Sequence, residues 1–317
     1  MALKNGKIAA LAGGVGAAKF LRGLALCVEQ RRLDIVVNTA DDDQFYGLHV
    51  CPDLDTIVYT LGGVANQRTG WGIAHDTFAT LKALSPFFGR PWFALGDHDF
   101  ATHLFRTSRL AAGLPLSEVS AEIARRFGVR ARVMPMSEQP VRTFVTLRGR
   151  AAMPFQEYLV RNRARGRVER VEFRGLEKAR PLPAAVAALK NAAAVIVAPS
   201  NPIVSVGPIL GFKAIRAALA AARERAAAIS PIIGGRPVKG PLDKMLRGLG
   251  HEVSVLGVAR LYQKLVGVFV IDRADRRYAQ AIADLGLKPV VTDTLMATPK
   301  RAARLAETVL RALNLAI

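Results

Sequence analysis

The first 43 residues repeat one pattern twice: an apolar run is followed at once by a glycine-rich or polar stretch. The run 7–12 leads into the glycine-rich segment 13–16, and apolar residues then recur at helical spacing as far as Val28. A second apolar run, 33–37, leads into the polar segment 38–43. Strand, turn, helix and strand in this order form the β-α-β unit of a parallel sheet. Because open parallel sheets bind ligands at the carboxyl ends of their strands, segments 13–16 and 38–43 are expected at a ligand site.

The second half of the chain shows the same alternation. An apolar run again ends in a polar loop, Pro-Ser-Asn-Pro at 199–202. We predict the strands of this half at 193–198, 226–233, 253–255 and 266–271, with a terminal helix at 299–313.

The middle of the chain differs from both ends. From residue 56 to about 128 the pattern is mainly helical, and 117–127 is amphipathic. Segments 143–147 and 168–173 alternate with the period of two that is typical of strands. The predicted fold class is therefore α/β: a doubly wound, mostly parallel, Rossmann-like sheet with a mixed α/β insertion. The predicted domains are a core of residues 1–55 and 185–317 and an inserted region, 56–184.

Composition excludes several classes of protein. The chain has 317 residues, of which 51% are hydrophobic and 22% charged, so it is globular rather than disordered. No run approaches the ~20 apolar residues of a spanning helix, which argues against a membrane protein. Glycines interrupt the apolar N-terminal run too early for a secretory signal. With only Cys27 and Cys51, no disulfide framework is possible, and we expect a cytoplasmic location.

The charge balance is strongly basic. Lys and Arg number 45 against 25 Asp and Glu, a net charge of +20. Such an excess attracts nucleic acid, anionic membranes or phosphorylated small molecules. The arginine-rich run 161–167 is either a nucleic-acid patch or a solvated loop. Because no recognised nucleic-acid-binding module accompanies it, we favour the loop and expect no nucleic-acid partner.

The glycine-rich segment is suited to binding an anion. Gly13, Gly14 and Gly16 allow backbone amides to approach a phosphate, the start of the following helix favours negative charge, and Lys19 can neutralise it. The segment is neither a Walker A loop nor a complete dinucleotide fingerprint, which would have glycine or alanine at position 19. A tight turn with Lys19 in solvent is the alternative interpretation.

Acidic residues are gathered in one short region. Asp41, Asp42 and Asp43 end a predicted strand, and Asp53 and Asp55 follow soon after. Clustered carboxylates repel one another unless a cation or a proton relieves them. Oxygen ligands suit Mg²⁺, which binds through one or two carboxylates plus substrate phosphates. The alternative is that Asp53 or Asp55 caps the helix predicted near residue 56, but we favour the functional interpretation.

A second polar segment, 96–103, contains two histidines and two carboxylates. Their spacing does not bring all of them to one helical face, so we do not predict a zinc site. On spacing alone, a structural role is expected for His98 and for His103.

Ten segments together resemble one family across nearly the whole chain, in collinear order. The most specific are Pro-Asp-Leu-Asp-Thr at 52–56 and Pro-Ser-Asn-Pro at 199–202. The chain resembles the 2-phospho-L-lactate transferase (CofD) family, which builds the deazaflavin coenzyme F-420. The matching segments are 13–19, 37–42, 51–56, 71–73, 95–99, 134–137, 199–202, 230–234, 240–241 and 293–296.

The resemblance implies a reaction. A three-carbon acid (2-phospho-L-lactate or phosphoenolpyruvate), linked through its phosphoryl group to a guanosine diphosphate donor, passes to the ribityl hydroxyl of the deazaflavin Fo, and GMP leaves. The implied cofactor is Mg²⁺, the implied partners are these two small molecules, and the implied assembly is a homodimer. Which three-carbon acid the donor carries is left open.

The resemblance also implies site residues. The carboxylates Asp42, Asp53 and Asp55 are the predicted metal ligands, and Asp42 and Asp55 the predicted catalytic residues. Asp55, Asp97 and His98 are predicted to contact the deazaflavin, although many relatives have Arg where this chain has His98 and a basic residue where it has Ala94. The predicted donor-binding residues are Gly13, Gly14, Gly16, Lys19, Ser200, Asn201, Pro202, Ser205 and Gly207.

A related family offers a non-catalytic alternative. CofD-like regulatory proteins bind nucleotide-sugars and share the glycine loop and the Asn-Pro loop. The segments at 52–56, 71–72 and 96–99 favour the transferase.

Overall fold

The computed structural model describes residues 6–315 and has a seven-stranded central sheet. Every pair of neighbouring strands in this sheet is parallel. Within the described residues, the 14 strands are β1 Ile8–Ala12, β2 Leu33–Val37, β3 Asp43–Phe45, β4 Leu48–Val50, β5 Arg132–Pro135, β6 Arg142–Leu147, β7 Met153–Pro154, β8 Val168–Arg174, β9 Ala194–Val197, β10 Ala226–Ile229, β11 Ile232–Ile233, β12 Arg236–Pro237, β13 Val268–Asp272 and β14 Lys288–Thr292.

Helices cover both faces of the sheet. The part of the chain that the structure describes has 12 α-helices: α1 Gly14–Cys27, α2 Pro52–Leu61, α3 Ala79–Phe88, α4 Asp97–Ala111, α5 Leu116–Arg126, α6 Pro183–Asn191, α7 Gly207–Gly211, α8 Lys213–Ala221, α9 Leu242–Gly248, α10 Val255–Tyr262, α11 Ala279–Asp284 and α12 Pro299–Ala312. No helix within residues 6–315 combines the length and apolar composition needed to cross a membrane.

The sheet order is β14-β13-β10-β9-β1-β2-β5. The chain winds outward in one direction from β1 through β2 to β5, then returns to β9 on the other side of β1 and winds the opposite way. The order therefore reverses between β1 and β9, which is where doubly wound sheets bind their ligands. The predicted fold class, a doubly wound parallel α/β sheet, is confirmed.

Two apolar cores lie on the two faces of the sheet. Alternate residues of β1 point to opposite sides: Ile8 and Ala10 join the core formed with α1, α2, α5 and α12, whereas Ala9 and Leu11 join that formed with α6, α8, α10 and α11. Strands covered on both faces read as continuous apolar runs, which is why β1 and β2 were visible in the sequence.

Part of the predicted insertion belongs to the core. Strand β5 pairs with β2 at the edge of the central sheet, and Val119 and Ile123 of α5 lie in the core beneath it. The predicted inserted region 56–184 therefore includes β5 and α5, which belong to the central sheet and to the core beneath it. Its remaining parts include α3, α4 and a three-stranded antiparallel sheet, β7-β6-β8.

One predicted strand extends too far, and another is wrong. The run 226–233 ends as a sheet strand at Ile229, because the chain turns at Ser230 and Pro231, and proline cannot donate a ladder hydrogen bond. The last two residues form a separate antiparallel pair with β12. The predicted strand 253–255 instead starts helix α10, because the Ser254 hydroxyl accepts a hydrogen bond from the Gly257 amide (3.0 Å) and caps the helix.

Candidate active site

The glycine loop and the Pro-Ser-Asn-Pro loop meet where the strand order reverses. They follow β1 and β9, which are neighbours in the sheet. The Gly13 amide donates a hydrogen bond to the Ser200 hydroxyl at 3.3 Å. The two segments predicted to bind the donor therefore form one cleft at the carboxyl edge of the sheet.

The close approach of these loops requires glycine. A Cβ on Gly13 would lie 2.7 Å from Asp53 Oδ2 and 2.9 Å from Ser205 Cβ, and one on Gly16 would collide with the Pro199 carbonyl. Gly14 has a φ of +71°, in the left-handed region that favours glycine. These glycines bring the backbone close to the acidic cluster and the β9 loop.

The β9 loop is shaped by Asn201. Its side-chain oxygen accepts hydrogen bonds from the amides of Ile203 (2.9 Å) and Val204 (3.3 Å), which holds a tight polar turn. The turn buries Ser205 against Gly13 and leads into α7, whose first residue is Gly207. Pro202 lies within this turn.

Two lysines flank the glycine loop. Lys19 is exposed on α1, and the Lys239 amine donates a hydrogen bond to the Thr69 carbonyl at 3.1 Å. A Cβ on Gly70 would lie 2.9 Å from Val15 and 3.3 Å from the Lys239 amine. Gly70 is thus close to both residues, which places the Lys239 amine near Val15 of the glycine loop. Burial and the charge of Lys19 lower the pKa of Lys239. This pair of amines makes the mouth of the cleft suitable for an anion.

The acidic cluster lies beneath the glycine loop. The Asn38 side-chain amide donates hydrogen bonds to Asp53 Oδ2 (3.0 Å) and Asp41 Oδ2 (3.2 Å), and His49 Nε2 lies 3.7 Å from Asp42 Oδ2. All three carboxylates are buried. Helix α2 has no side-chain cap, so the alternative that Asp53 or Asp55 caps it is not supported.

Burial changes the protonation of the cluster. Loss of hydration, together with the neighbouring charge of Asp42, raises the pKa of Asp53 to about 7. Burial, followed by the charge of Asp53, raises the pKa of Asp41, and burial raises that of Asp42. The three carboxylates favour a bound proton or cation over the fully ionised state.

The residues fit a magnesium ion in part. Asp41 Oδ1 and Asp42 Oδ1 are buried without a hydrogen-bond partner among the described residues. Carboxylate oxygens are the preferred ligands of Mg²⁺, so the predicted ligands Asp42 and Asp53 fit the ion, and Asp41 extends the set. The same Asp42 is within 4.8 Å of ligand atoms of His49 and Cys51.

Asp55 does not fit the metal set. Both of its oxygens accept hydrogen bonds from Arg106 of α4, one at 3.1 Å and the other shorter. His103 supports this pair, because its Nδ1 lies 3.0 Å from Arg106 Nη1, and burial lowers the pKa of His103 to about 4. A guanidinium on both oxygens opposes the binding of a cation there.

Asp97 and His98 stand at the start of α4. Asp97 accepts hydrogen bonds from the amides of Ala79 (3.1 Å) and Thr80 (2.9 Å) and from the Thr77 hydroxyl, so it caps α3. Asp76, which precedes α3, accepts hydrogen bonds from the amides of His98 (2.9 Å) and Asp99 (3.3 Å) and so caps α4. His98 is exposed and its ring contacts Asp76 at 2.9 Å. Asp97 therefore caps α3, and Asp76, which contacts the His98 ring, caps α4 in return.

Several residues of the site were not predicted. Arg106 and Asp76 make contacts between segments that are distant in sequence, and no spacing rule indicates them. Asn38 lies in segment 38–43, which was expected at a ligand site, but its hydrogen bonds to Asp41 and Asp53 were not predicted. Asp99 is buried, which raises its pKa to about 6 with help from the charge of Asp55. Asp99 lay within a segment that carried the family resemblance, and this was the only sequence signal for it.

Fold and cleft together define a Rossmann-like α/β protein with a carboxylate-lined cleft, flanked by two lysines, at the point where the strand order reverses. The model of the family described as 2-phospho-L-lactate transferase CofD matches residues 8–310, and the chain belongs to this family of transferases. The predicted family and the prediction of a transferase are confirmed.

Relatives carry two different names. A protein named phosphoenolpyruvate transferase from Kitasatospora aureofaciens is 41% identical over 310 residues, covering 96% of this chain and 97% of that protein. One with the same name from Thermobifida fusca is 40% identical, with 95% of each chain covered. A 2-phospho-L-lactate transferase from Methanosarcina mazei is 36% identical, covering 95% of this chain and 98% of that protein.

A solved structure shows the same fold. A protein of the UPF0052 family from Bacillus halodurans matches with a TM-score of 0.62 and 16% identity, covering 97% of this chain and 99% of that one. At this identity the likeness concerns the fold alone.

Proposed function

We propose that the protein transfers a phosphoryl-linked three-carbon acid from a guanosine diphosphate-linked donor to the terminal hydroxyl of Fo, releasing GMP, in coenzyme F-420 biosynthesis. The observation that carries the proposal is the buried cluster of Asp41, Asp42 and Asp53 directly beneath the glycine loop. Membership of the family and the names of its relatives support the choice of reaction.

The donor is proposed to bind across the cleft between β1 and β9. Gly13, Gly14 and Gly16 present backbone amides, and Lys19 supplies a positive charge at the mouth. On the opposite wall, the turn that Asn201 holds presents Ser200 and Ser205, with Pro202 and Gly207 in the same loop. A diphosphate placed here would have amides and amines on one side and the acidic cluster below.

A diphosphate and three carboxylates repel each other unless a cation lies between them. We propose that Asp42 and Asp53 hold Mg²⁺, which supplies charge neutralisation to the diphosphate when bound. The chain's own residues bind and orient the two substrates, and phosphoryl transfer depends mainly on such positioning and on charge stabilisation.

In the transfer, the Fo hydroxyl oxygen forms a bond to the phosphorus that carries the three-carbon acid, and the bond from that phosphorus to the GMP oxygen breaks. The hydroxyl proton must leave, and carboxylates of the cluster are the proposed acceptors, with Asp42 the predicted catalytic residue. Asp55, held by Arg106, and Asp97 and His98 at the start of α4 are proposed to face the deazaflavin. The homodimer and the cytoplasmic location stay predictions.

The test is product formation. Purified protein is incubated with Fo, Mg²⁺ and the guanosine diphosphate-linked enolpyruvyl and lactyl donors in competition, and products are identified by mass spectrometry. We expect a three-carbon acid joined to Fo, together with GMP, and the ratio of products identifies the acid. Binding of a UDP-sugar without any turnover would instead support the regulatory alternative.

Variants locate the chemistry. Asp42→Asn and Asp53→Asn are expected to lower kcat by roughly two or more orders of magnitude, the scale of a lost catalytic group. The matched control is Asp284→Asn on α11, an exposed carboxylate that accepts a hydrogen bond from the Gln280 side chain (2.9 Å). Equal turnover in Asp53→Asn and the control would remove the acidic cluster from the mechanism.

A further inference from the structure

A cavity of about 630 Å³ lies in the antiparallel sheet region, formed by residues other than those of the candidate active site. It opens between the turn after β6 and the segment that leads into β8. Its lining residues are Leu147, Arg148, Arg150, Arg161, Asn162, Arg163, Arg165, Gly166 and Arg167. We refer to it as the arginine cavity.

The segment that presents the arginines is anchored. The Ala164 carbonyl accepts hydrogen bonds from the buried Tyr158 hydroxyl (3.3 Å) and from the Lys244 amine (2.5 Å) of α9. Arg163 and Ala164 have φ values of +51° and +50°, a left-handed conformation that residues with side chains adopt at a cost. Two anchors on one carbonyl hold this costly turn, so its arginines, which are exposed as expected for a solvated loop, extend from a defined backbone conformation.

The positive charge of the cavity is not balanced. Arg161 pairs with Glu157 at 3.1 Å, and Arg148 approaches Glu169 at 3.9 Å. Within residues 6–315, the other four arginines have no carboxylate within ion-pair distance: Arg150, Arg163, Arg165 and Arg167. Like charges gathered in a concave surface focus a positive potential and attract anions.

We propose that the arginine cavity binds a small anion with several phosphate groups, of the triphosphate type. Guanidinium groups bind phosphate oxygens in pairs, and four unpaired ones match an anion that carries several of them. The volume is that of a small-molecule site. No aromatic residue lines the cavity, so it lacks the stacking platform on which single-stranded nucleic acid depends.

The test is isothermal titration of the whole protein with inorganic triphosphate, at low and at raised salt. Arg163→Gln/Arg165→Gln is compared with Arg273→Gln/Arg276→Gln, which removes the same charge from exposed positions on the 3₁₀ turn after β13. We expect the cavity variant to bind at least ~10-fold more weakly and the control to change by less than about 2-fold. The titrations at both salt concentrations are repeated with the single variant Lys19→Gln. Because Lys19 lies at the cleft, this variant distinguishes binding in the cleft from binding in the cavity.

Two further probes distinguish other polyanions. A 20-nucleotide single-stranded DNA and vesicles of phosphatidylglycerol with phosphatidylcholine are titrated against the same variants. Arginine-dependent binding of triphosphate that exceeds binding of either probe supports the proposal. Equal binding of triphosphate by the two double variants overturns it, and so does arginine-dependent binding of DNA or vesicles without triphosphate binding.

Discussion

Arg106 holds both carboxylate oxygens of Asp55, and neither side chain reaches solvent to more than 7% of its surface. The two residues are 51 positions apart, and the pair joins α2 to α4. It therefore connects the helix that carries Asp53 to the helix that begins with Asp97.

This pair predicts a large cost for removing one partner. Arg106→Met keeps much of the volume but removes the guanidinium from both oxygens of the buried Asp55. His103, whose Nδ1 lies 3.7 Å from Asp55 Oδ2, does not replace those two hydrogen bonds, so we expect the free energy of unfolding to fall by about 3–5 kcal/mol. The matched control is Arg109→Met on the same helix, whose pair with Glu122 is partly exposed and should cost under about 1 kcal/mol. Urea denaturation measures both. Equal losses in the two variants would show that the buried pair has no special weight.

The raised pKa of Asp53 leads us to expect that pH affects the stability of the protein in opposite directions with and without Mg²⁺. Burial raises its pKa from 3.8 to about 7, so its contribution to stability is present below pH 3.8 and is lost as pH rises through 7. Without Mg²⁺, Asp53→Asn should be more stable than the native protein at pH 8, by on the order of 2–4 kcal/mol, and the difference should shrink towards pH 4.

Mg²⁺ should reverse this difference. A metal ion requires the ionised carboxylate, so the rise in Tm with saturating Mg²⁺ should be larger at pH 8 than at pH 6. Thermal melts of native protein and Asp53→Asn at both pH values provide the measurement. A Mg²⁺-induced rise of equal size in the variant would exclude Asp53 as a ligand.

Asp76 is predicted to stabilise the start of α4. Asp76→Ala removes the acceptor for the His98 and Asp99 amides, and we expect a loss of about 1–2 kcal/mol. Asp76→Asn keeps an acceptor oxygen and should lose less. Urea denaturation of the two variants tests the cap, and Asp284→Ala serves as an exposed control. Identical losses in Asp76→Ala and Asp284→Ala would contradict the role.

Gly16→Ala is predicted to separate the two walls of the cleft. Alanine is usually favoured over glycine within a helix by about 1 kcal/mol, but here the added methyl group meets the Pro199 carbonyl. We expect Tm to fall and KM for the donor to rise by roughly 10-fold, since a small displacement disturbs positioning. Steady-state kinetics with varied donor checks this. A raised Tm with unchanged KM would show that the β9 loop can move aside.

The sequence was most informative where local pattern and burial coincide. β1, β2 and β9 are short apolar runs that end in glycine or polar loops, and parallel topology places those loops on one edge. Gly13 and Ser200 could therefore be assigned to one cleft before their hydrogen bond was seen. The prediction of a strand at 253–255 was wrong because three residues of strand-like pattern do not outweigh the hydrogen bond by which Ser254 caps helix α10.

The ion pairs of the site could not be predicted from the sequence. Nothing in the spacing of Asp55 and Arg106 indicates that they pair, because the pairing depends on how α2 and α4 pack. Spacing alone does not distinguish the five clustered aspartates. In the structure, Asp55 has a guanidinium on both oxygens, while Asp41 and Asp42 each keep a buried oxygen without a hydrogen-bond partner among residues 6–315. Tertiary packing, rather than local pattern, divides them.

The hydrogen bond from Gly13 to Ser200 spans 187 residues of chain, so the cleft cannot close early in synthesis. The glycine loop and β2 leave the ribosome first, and their opposite wall follows roughly 10–40 s later at ordinary rates of translation. During that interval the acidic cluster has only the wall that β1, β2 and α2 provide. Any ligand that needs both walls of the cleft can therefore bind only late in synthesis. A truncated chain that ends before β9 would have the glycine loop but not the Pro-Ser-Asn-Pro loop.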